Sequence, residues 1–188
     1  MTVKEVIKLT AETVGEDDVV SYLEGKECFD IDYAKKVVNL LIKCYNLITD
    51  EIACEYFPQK QRQDFNNITD KKIPLSSLNK TPLRILRVFA KNGQKLGYKL
   101  INDYIEVNNS DVTVEYLFKI PKATEDDEAY FASTLIGPYV LVYGIASQYL
   151  MERGRIKESE IYNEKYMQAL RGRLAERRSL KIPQRRWS

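Results

Sequence analysis

The sequence contains no histidine, and this limits the chemistry that its other reactive side chains can perform. Without histidine there are no Ser-His or Cys-His nucleophile pairs, no histidine-containing zinc sites and no imidazole acid or base. Catalysis would have to rest on carboxylates, lysine or tyrosine. The GxxxxGK[ST], GxGxxG and GxSxG motifs are also missing from the sequence. We therefore predict a protein that is not an enzyme and that binds no cofactor or metal.

The acidic clusters and the cysteines both have simple structural interpretations. Residues 16–18 and 125–128 are acidic runs at places where helices are expected to begin. Carboxylates at a helix start complement the helix dipole. Cys28, Cys44 and Cys54 are an odd set without CxxC spacing, which favours reduced, partly buried thiols over a disulfide framework.

Hydrophobic periodicity predicts a helical bundle at both ends of the chain. Thr2 is the expected N-cap of the first helix, and Gly15 its expected stop. Asp30 opens a long third helix that is expected to end at Pro58. We predict helices over residues 2–14, 16–24, 30–57, 131–153 and 155–178.

The long third helix is predicted to carry two apolar stripes and one polar face turned to solvent. The first stripe includes Val37, Leu41 and Tyr45, and the second includes Leu40 and Leu47. A helix that is apolar on two sides is expected to lie at the centre of a bundle, with neighbours on both sides.

The fourth predicted helix has small residues and an internal proline. Ala132, Gly137, Gly144 and Ala146 are expected to let a neighbouring helix approach closely, and Pro138 either kinks this helix or lies in its first turn. Residues 135–151 are the most apolar stretch, yet they are too short for a bilayer span and are interrupted by polar groups and Pro138. We therefore expect a buried helix, no membrane segment and a cytosolic location.

The middle of the chain changes to the two-residue period of β-strands. The clearest strand covers residues 112–120, a second covers 84–89, and Asn92-Gly93 is a strong hairpin signal. Residues 98–107 add one or two short strands. The predicted fold class is α+β, mainly α: a helical bundle from residues 1–58 and 122–178, a small antiparallel sheet of about four strands inserted at 59–121, and an extended C-terminal arm at 179–188.

The C-terminal segment is strongly basic and ends in an aromatic side chain. Residues 171–188 contain seven Lys and Arg side chains against one Glu, whereas the whole chain has a formal net charge of +2, so residues 1–170 are net acidic. Trp187 is the only tryptophan, and Trp and Arg are enriched at interface hot spots. Three interpretations remain open: an arm that docks on a partner, a nucleic-acid contact, and a frayed basic terminus.

Several segments resemble the head-to-tail connector (adaptor) proteins of tailed bacteriophages and prophages. The resemblance spans most of the chain, although the β insertion has no residue-by-residue match, and it lies in patterns of helix faces. The matching segments are VKEVIKLTAE (3–12), GEDDVVSYL (15–23), CYNLI (44–48), EIA (51–53), EYFP (55–58), YGIASQYL (143–150), YNEKYMQAL (162–170) and RRW (185–187).

The resemblance implies a structural virion protein that acts by assembly. Such adaptors form rings, commonly of twelve copies, beneath the portal protein, with the helical body packed side by side and the C-terminal arm reaching the portal. The implied partners are the portal protein, further copies of the chain in a homo-oligomeric ring, the next neck or tail protein, and double-stranded DNA that passes through the lumen without sequence-specific binding. An acidic inner wall would let that DNA slide.

The implied location is the virion neck, and the host cytoplasm during assembly. A stopper or tail-completion protein and a small nucleic-acid-binding module are the alternatives, and the helical ends favour the adaptor. The hypothesised portal-binding residues are Arg177, Arg178, Lys181, Ile182, Pro183, Arg185, Arg186 and Trp187.

Overall fold

A computed structural model describes residues 1–130 and 136–179, with the side chains of Thr69 and of residues 176–179 left out of that description. The fold class is α+β, mainly α, as predicted. The chain divides into two compact units: a helical unit made of Met1–Ile52 and the chain from Lys122 onward, and a β unit made of Ala53–Pro121. The helices are α1 (Val3–Val14), α2 (Asp17–Leu23), α3 (Ile31–Glu51), α4 (Pro138–Glu152) and α5 (Ile156–Ser179).

Helix α1 begins and ends at the residues that the sequence predicts. The Thr2 hydroxyl accepts a hydrogen bond from the Glu5 amide at 3.3 Å, and the Glu5 carboxylate accepts one from the Thr2 amide at 2.8 Å. This reciprocal pair is a capping box, which satisfies amides that the first turn leaves without partners. Gly15 ends the helix at φ +78°, a left-handed conformation that favours glycine.

Helix α3 also begins as predicted, but its end differs. The Asp30 carboxylate accepts a hydrogen bond from the Tyr33 amide at 2.9 Å. The regular α-helix stops at Glu51 and continues as a π-helical turn over Ile52–Tyr56 before Pro58. The proline therefore ends the helical segment as expected, after a wider last turn.

The acidic run at residues 125–128 forms a turn and an isolated β-bridge, and the predicted helix start at residue 131 lies outside the described residues. The run lies beside the start of α1, where its backbone carbonyls accept hydrogen bonds. The Val3 amide donates to the Asp127 carbonyl at 2.9 Å, and the Lys4 amide donates to the Glu125 carbonyl at 3.0 Å. The segment therefore caps a helix that is distant in sequence, which no local pattern encodes.

Helix α4 starts later than predicted. Gly137 is extended at φ −79° and ψ 166°, so the helix begins at Pro138, which occupies the first turn and causes no kink. The predicted first part of the helix, including Ala132, falls on residues 131–135, outside the described residues.

Helix α4, and not α3, is the central helix of the helical unit. It is buried on nearly all sides because its sequence is apolar all round, and it packs against α1, α3 and α5. The predicted role of Gly144 is confirmed: a Cβ atom there would stand 2.9 Å from Ile48 Cγ2 and 3.1 Å from the Tyr166 ring. The second apolar stripe of α3 is only partly covered by the described residues: Cys44 is buried and Leu40 is half-buried, but Leu47 is 55% exposed.

The β unit contains two antiparallel sheets instead of the single sheet that was predicted. One has the strand order β1-β7-β3-β4 and the other β2-β6-β5, around a shared core that includes Ile73, Val88, Ile105, Val114 and Tyr116. The strands are β1 (Lys60–Phe65), β2 (Lys72–Pro74), β3 (Pro82–Ala90), β4 (Lys95–Leu96), β5 (Tyr98–Ile101), β6 (Tyr104–Val107) and β7 (Val112–Phe118).

Candidate assembly surfaces

Helices α4 and α5 form an antiparallel pair in which α5 is the longer partner. The Ser147 hydroxyl donates to the Ser159 carbonyl at 3.0 Å, and the Ser159 hydroxyl donates to the Ser147 carbonyl at 2.8 Å. Helix α4 has 15 residues and α5 has 24. With Gly144 against Tyr166, this register places the start of α4 beside the region of Gly172. About two turns of α5 therefore run beyond the end of its partner.

The projecting turns of α5, which we call the α5 extension (residues 172–179), carry the first part of the basic segment. Arg171, just before it, is exposed, and Arg173 is half-buried. Arg177 and Arg178 lie in its last turn, and their side chains are outside the description. The other hypothesised portal-binding residues fall outside the described residues: Lys181, Ile182, Pro183, Arg185, Arg186 and Trp187.

A polar cluster joins three helices at the opposite end of α4. The Tyr149 hydroxyl donates to Glu16 at 2.5 Å, and the Tyr33 hydroxyl donates to the same carboxylate at 3.0 Å. The Arg153 guanidinium donates to the Tyr33 hydroxyl at 3.1 Å and stands 5.6 Å from that ring. Burial, and then the hydrogen bond to Glu16, raise the pKa of Tyr149 and of Tyr33. Both phenols therefore stay protonated and donate to Glu16. The cluster of Glu16, Tyr33, Tyr149 and Arg153, which we call the clamp, links α3 and α4 to the start of α2.

No pattern in the sequence predicted this clamp. Glu16 was expected only to complement a helix dipole, and it lies 133 positions from Tyr149. The pair Tyr149 and Arg153 in an otherwise apolar helix is only a weak sign of a polar cluster, and it does not identify Glu16 as the partner.

Large apolar side chains are exposed near the clamp. The contact between Tyr33 and Arg153 brings the first turn of α3 beside the turn that joins α4 to α5. Phe29 is 97% exposed, and its amide donates to the Asp18 carboxylate at 3.1 Å, so a fixed backbone presents this ring to solvent. We call this group the apolar end; its members are Phe29, Ile31, Met151 and Ile156, each more than half exposed.

The charges are distributed unevenly between the two units. Residues 1–52 and 122–170 carry 11 Lys and Arg against 19 Asp and Glu, whereas residues 53–121 carry 11 against 7. The acidic body that the sequence predicts for residues 1–170 is therefore the part of the helical unit before residue 171, and the β unit is basic.

The described residues include no group of three or more His, Cys, Asp or Glu that could hold a metal ion. None of the helices over the described ranges is long and apolar enough to cross a membrane. Cys44 is buried, and burial raises the pKa of its thiol to about 12, while Cys54 is exposed and Cys28 is half-buried. The Cys44 thiol therefore stays protonated near neutral pH.

Comparison of the sequence with protein-family models found no match, and comparison with curated proteins found none either. Function is therefore inferred from the pattern of residues and from their arrangement in the two units.

Proposed function

We propose that this protein is a head-to-tail adaptor of a tailed bacteriophage, a subunit of a ring that sits under the portal and joins the capsid to the tail around the DNA channel. The observation that carries the proposal is the α5 extension. Helix α5 outruns α4 by about two turns and leads directly into the basic C-terminal residues. A helix that runs past its antiparallel partner and leads into a cationic segment is suited to hold a second protein.

The α5 extension and the residues after it supply the attachment. Arg177, Arg178, Lys181, Arg185 and Arg186 pair with acidic groups of the portal. Arginine suits such contacts because its guanidinium binds carboxylates through two parallel hydrogen bonds. Pro183 restricts the backbone there, and Trp187 fills an apolar pocket of the partner.

The helical unit supplies the contacts between subunits. A closed ring requires two different complementary patches on each copy. The exposed apolar side chains of the apolar end are candidates for one of these patches. Repetition around the ring then strengthens each weak portal contact through avidity.

Removal of residues 179–188 tests the attachment. We expect the truncated chain to keep its unfolding midpoint and to lose attachment to its cognate portal protein, as seen by electron microscopy of the mixture. In the full chain, Trp187→Ala should weaken attachment by about 2–4 kcal/mol per copy, because hot-spot aromatics contribute on that scale.

The matched control for charge is Lys71→Ala with Lys99→Ala, two exposed cations of the β unit, compared with Arg177→Ala with Arg178→Ala. Only the second pair should reduce attachment. Full attachment of the truncated chain would show that the portal contact lies elsewhere and would overturn the proposal.

A further inference from the structure

The outward face of the four-stranded sheet collects cations from three strands. Strand β7 lies between β1 and β3, and its outward residues Thr113, Glu115 and Leu117 are each flanked on both sides. The pairing register places Lys60 and Arg84 beside Leu117, Arg62 and Arg87 beside Glu115, and Asp64 and Phe89 beside Thr113, with Lys95 beyond Phe89.

The opposite face of the same strands forms the core of the β unit. Val112, Val114 and Tyr116 are buried there, and they pair with Ala90, Val88 and Ile85 of β3. The alternation of side chains along a strand therefore fixes the cations on the outer side.

Most of these cations form no ion pair with the residues that the structure describes. Arg62 approaches Glu115 at 3.5 Å and stands 5.5 Å from the Phe89 ring. Asp64 accepts a hydrogen bond from the Thr113 hydroxyl at 2.6 Å. Within the described part of the chain, no ion pair is formed by the four remaining cations, which are all exposed: Lys60, Arg84, Arg87 and Lys95.

We propose that this surface, the cationic face (Lys60, Arg62, Arg84, Arg87 and Lys95), binds the phosphate backbone of duplex DNA without reading its sequence. The choice of duplex DNA as the polyanion rests on the proposed function, in which DNA passes through the ring. The cationic face itself is independent of the α5 extension and of portal attachment.

The composition of the face favours phosphate over a protein partner. Protein interfaces, although enriched in arginine, are depleted of lysine and of most charge at their centres and use large apolar anchors. Here the two apolar side chains, Leu117 and Phe89, are half-buried, and Arg62 stands against the Phe89 ring. Phosphate contacts, in contrast, come mainly from Arg, Lys and polar groups, and they carry no sequence information.

The geometry also suits two phosphate strands. Cations on β1 and β3 stand in two rows separated by two strand spacings, or roughly 10 Å. That separation lies between the widths of the minor and major grooves, about 6 and 12 Å. In this proposal the helical unit forms the acidic wall expected from the sequence, and the β unit makes weak contacts with phosphate. One phosphate contact from each of the four cations without an ion pair gives a slope of log K against log salt concentration of about −3.6. Binding is then weak near physiological salt, and DNA can slide along the face.

The test measures binding of the full chain to a short random-sequence duplex by fluorescence anisotropy over a salt series. Arg84→Gln with Arg87→Gln should weaken binding on every sequence and reduce the steepness of the salt slope by about 2. The control is Lys71→Gln with Lys99→Gln, which removes the same amount of charge from two exposed positions. Lys71 immediately precedes β2, and Lys99 lies on β5, so both belong to the three-stranded sheet or the turn before it. The control should keep the slope of the wild type.

Each result decides the matter. Equal losses in the two double variants would assign DNA affinity to net charge, and a loss only on removal of residues 179–188 would assign it to the C-terminal segment. Tighter binding of poly-glutamate than of duplex would identify an acidic protein as the partner. Any of these overturns the proposal, as does absence of binding at low salt. Portal attachment of Arg84→Gln with Arg87→Gln is measured in parallel and should be unchanged, so that failure of the cationic face and failure of the adaptor function are told apart.

Discussion

The helical unit and the β unit bury their cores in different ways and leave different side chains in solvent. The helical unit depends on a central helix whose neighbours come from both ends of the chain, with Gly144 against Ile48 and Tyr166. The β unit depends on strand alternation, which sorts each residue to one face. Outside, the helical unit is acidic with an apolar end, and the β unit is basic.

The difference gives each of the two proposed contacts, with protein and with DNA, a surface of its own. Apolar side chains around a rigid clamp suit contact with protein, because burial of apolar area drives such association. Exposed cations in register suit a polyanion. The following predictions test whether stability in the helical unit depends on close fit and charged hydrogen bonds more strongly than in the β unit.

The largest effect is expected from a cavity in the helical core. Leu150 on α4 is fully buried, and Leu150→Ala should lower the free energy of unfolding by about 2–5 kcal/mol, because transfer and cavity terms add. Urea denaturation measures the change. Leu100→Ala on β5, where the side chain is 55% exposed, is the matched control and should stay within about 0.5 kcal/mol. Similar losses in both variants would remove the contrast.

A smaller effect is expected from the clamp. Tyr149→Phe removes the donor to the Glu16 carboxylate and should cost about 1.5–3 kcal/mol, as for hydrogen bonds to charged groups. Tyr98→Phe removes a donor to the neutral Ile85 carbonyl at 3.0 Å and should cost about 0.5–1.5 kcal/mol. An equal cost for the two variants would contradict the charged character of the clamp.

The clamp also has a pH signature. The pKa of Tyr149 is raised above its ordinary value of 10.0, so the folded state keeps a proton that the unfolded chain releases. The free energy of unfolding should therefore be level below pH 10 and fall as the pH rises above it. Tyr149→Phe should make that fall shallower, and the same alkaline slope in both proteins would assign the effect to other groups.

The smallest effect tests the close approach at Gly144. Alanine favours helix over glycine by about 1 kcal/mol, but overpacking costs about 1–3 kcal/mol. Gly144→Ala should therefore lower the free energy of unfolding by about 1 kcal/mol. Gly172→Ala on α5, where a Cβ meets nothing within 4 Å, should instead raise it by up to about 1 kcal/mol. A rise in the free energy of unfolding of both variants would show that α4 has room at Gly144.

Local chemistry could be predicted from the sequence, but long-range pairing could not. The caps at Thr2, Gly15 and Asp30 were predicted because a cap involves neighbours three or four residues away. Strand β1 was missed because Gln61 and Gln63 occupy its core side, so the segment has no apolar alternation. The two-sheet arrangement was missed because β2 has only three residues.

The candidate surfaces also differ in whether the sequence could predict them. The basic C-terminal segment is contiguous, so a count of charges finds it. The cationic face joins β1, β3 and β4 across β7, and Arg87 reaches its place after two irregularities in the β3 register. No short window along the sequence contains those residues together, because 21 positions separate Arg62 from Arg84.

The insertion of the β unit also sets the order in which the chain can fold during synthesis. A ribosome releases α1, α2 and α3 first, yet α4, which packs against α1 and α3, follows only after the whole of Ala53–Pro121. The β unit is contiguous and can complete its core while the nascent helices still expose apolar faces. The first third of the chain must therefore wait for the last third, and its apolar faces stay uncovered by their native neighbours during that interval.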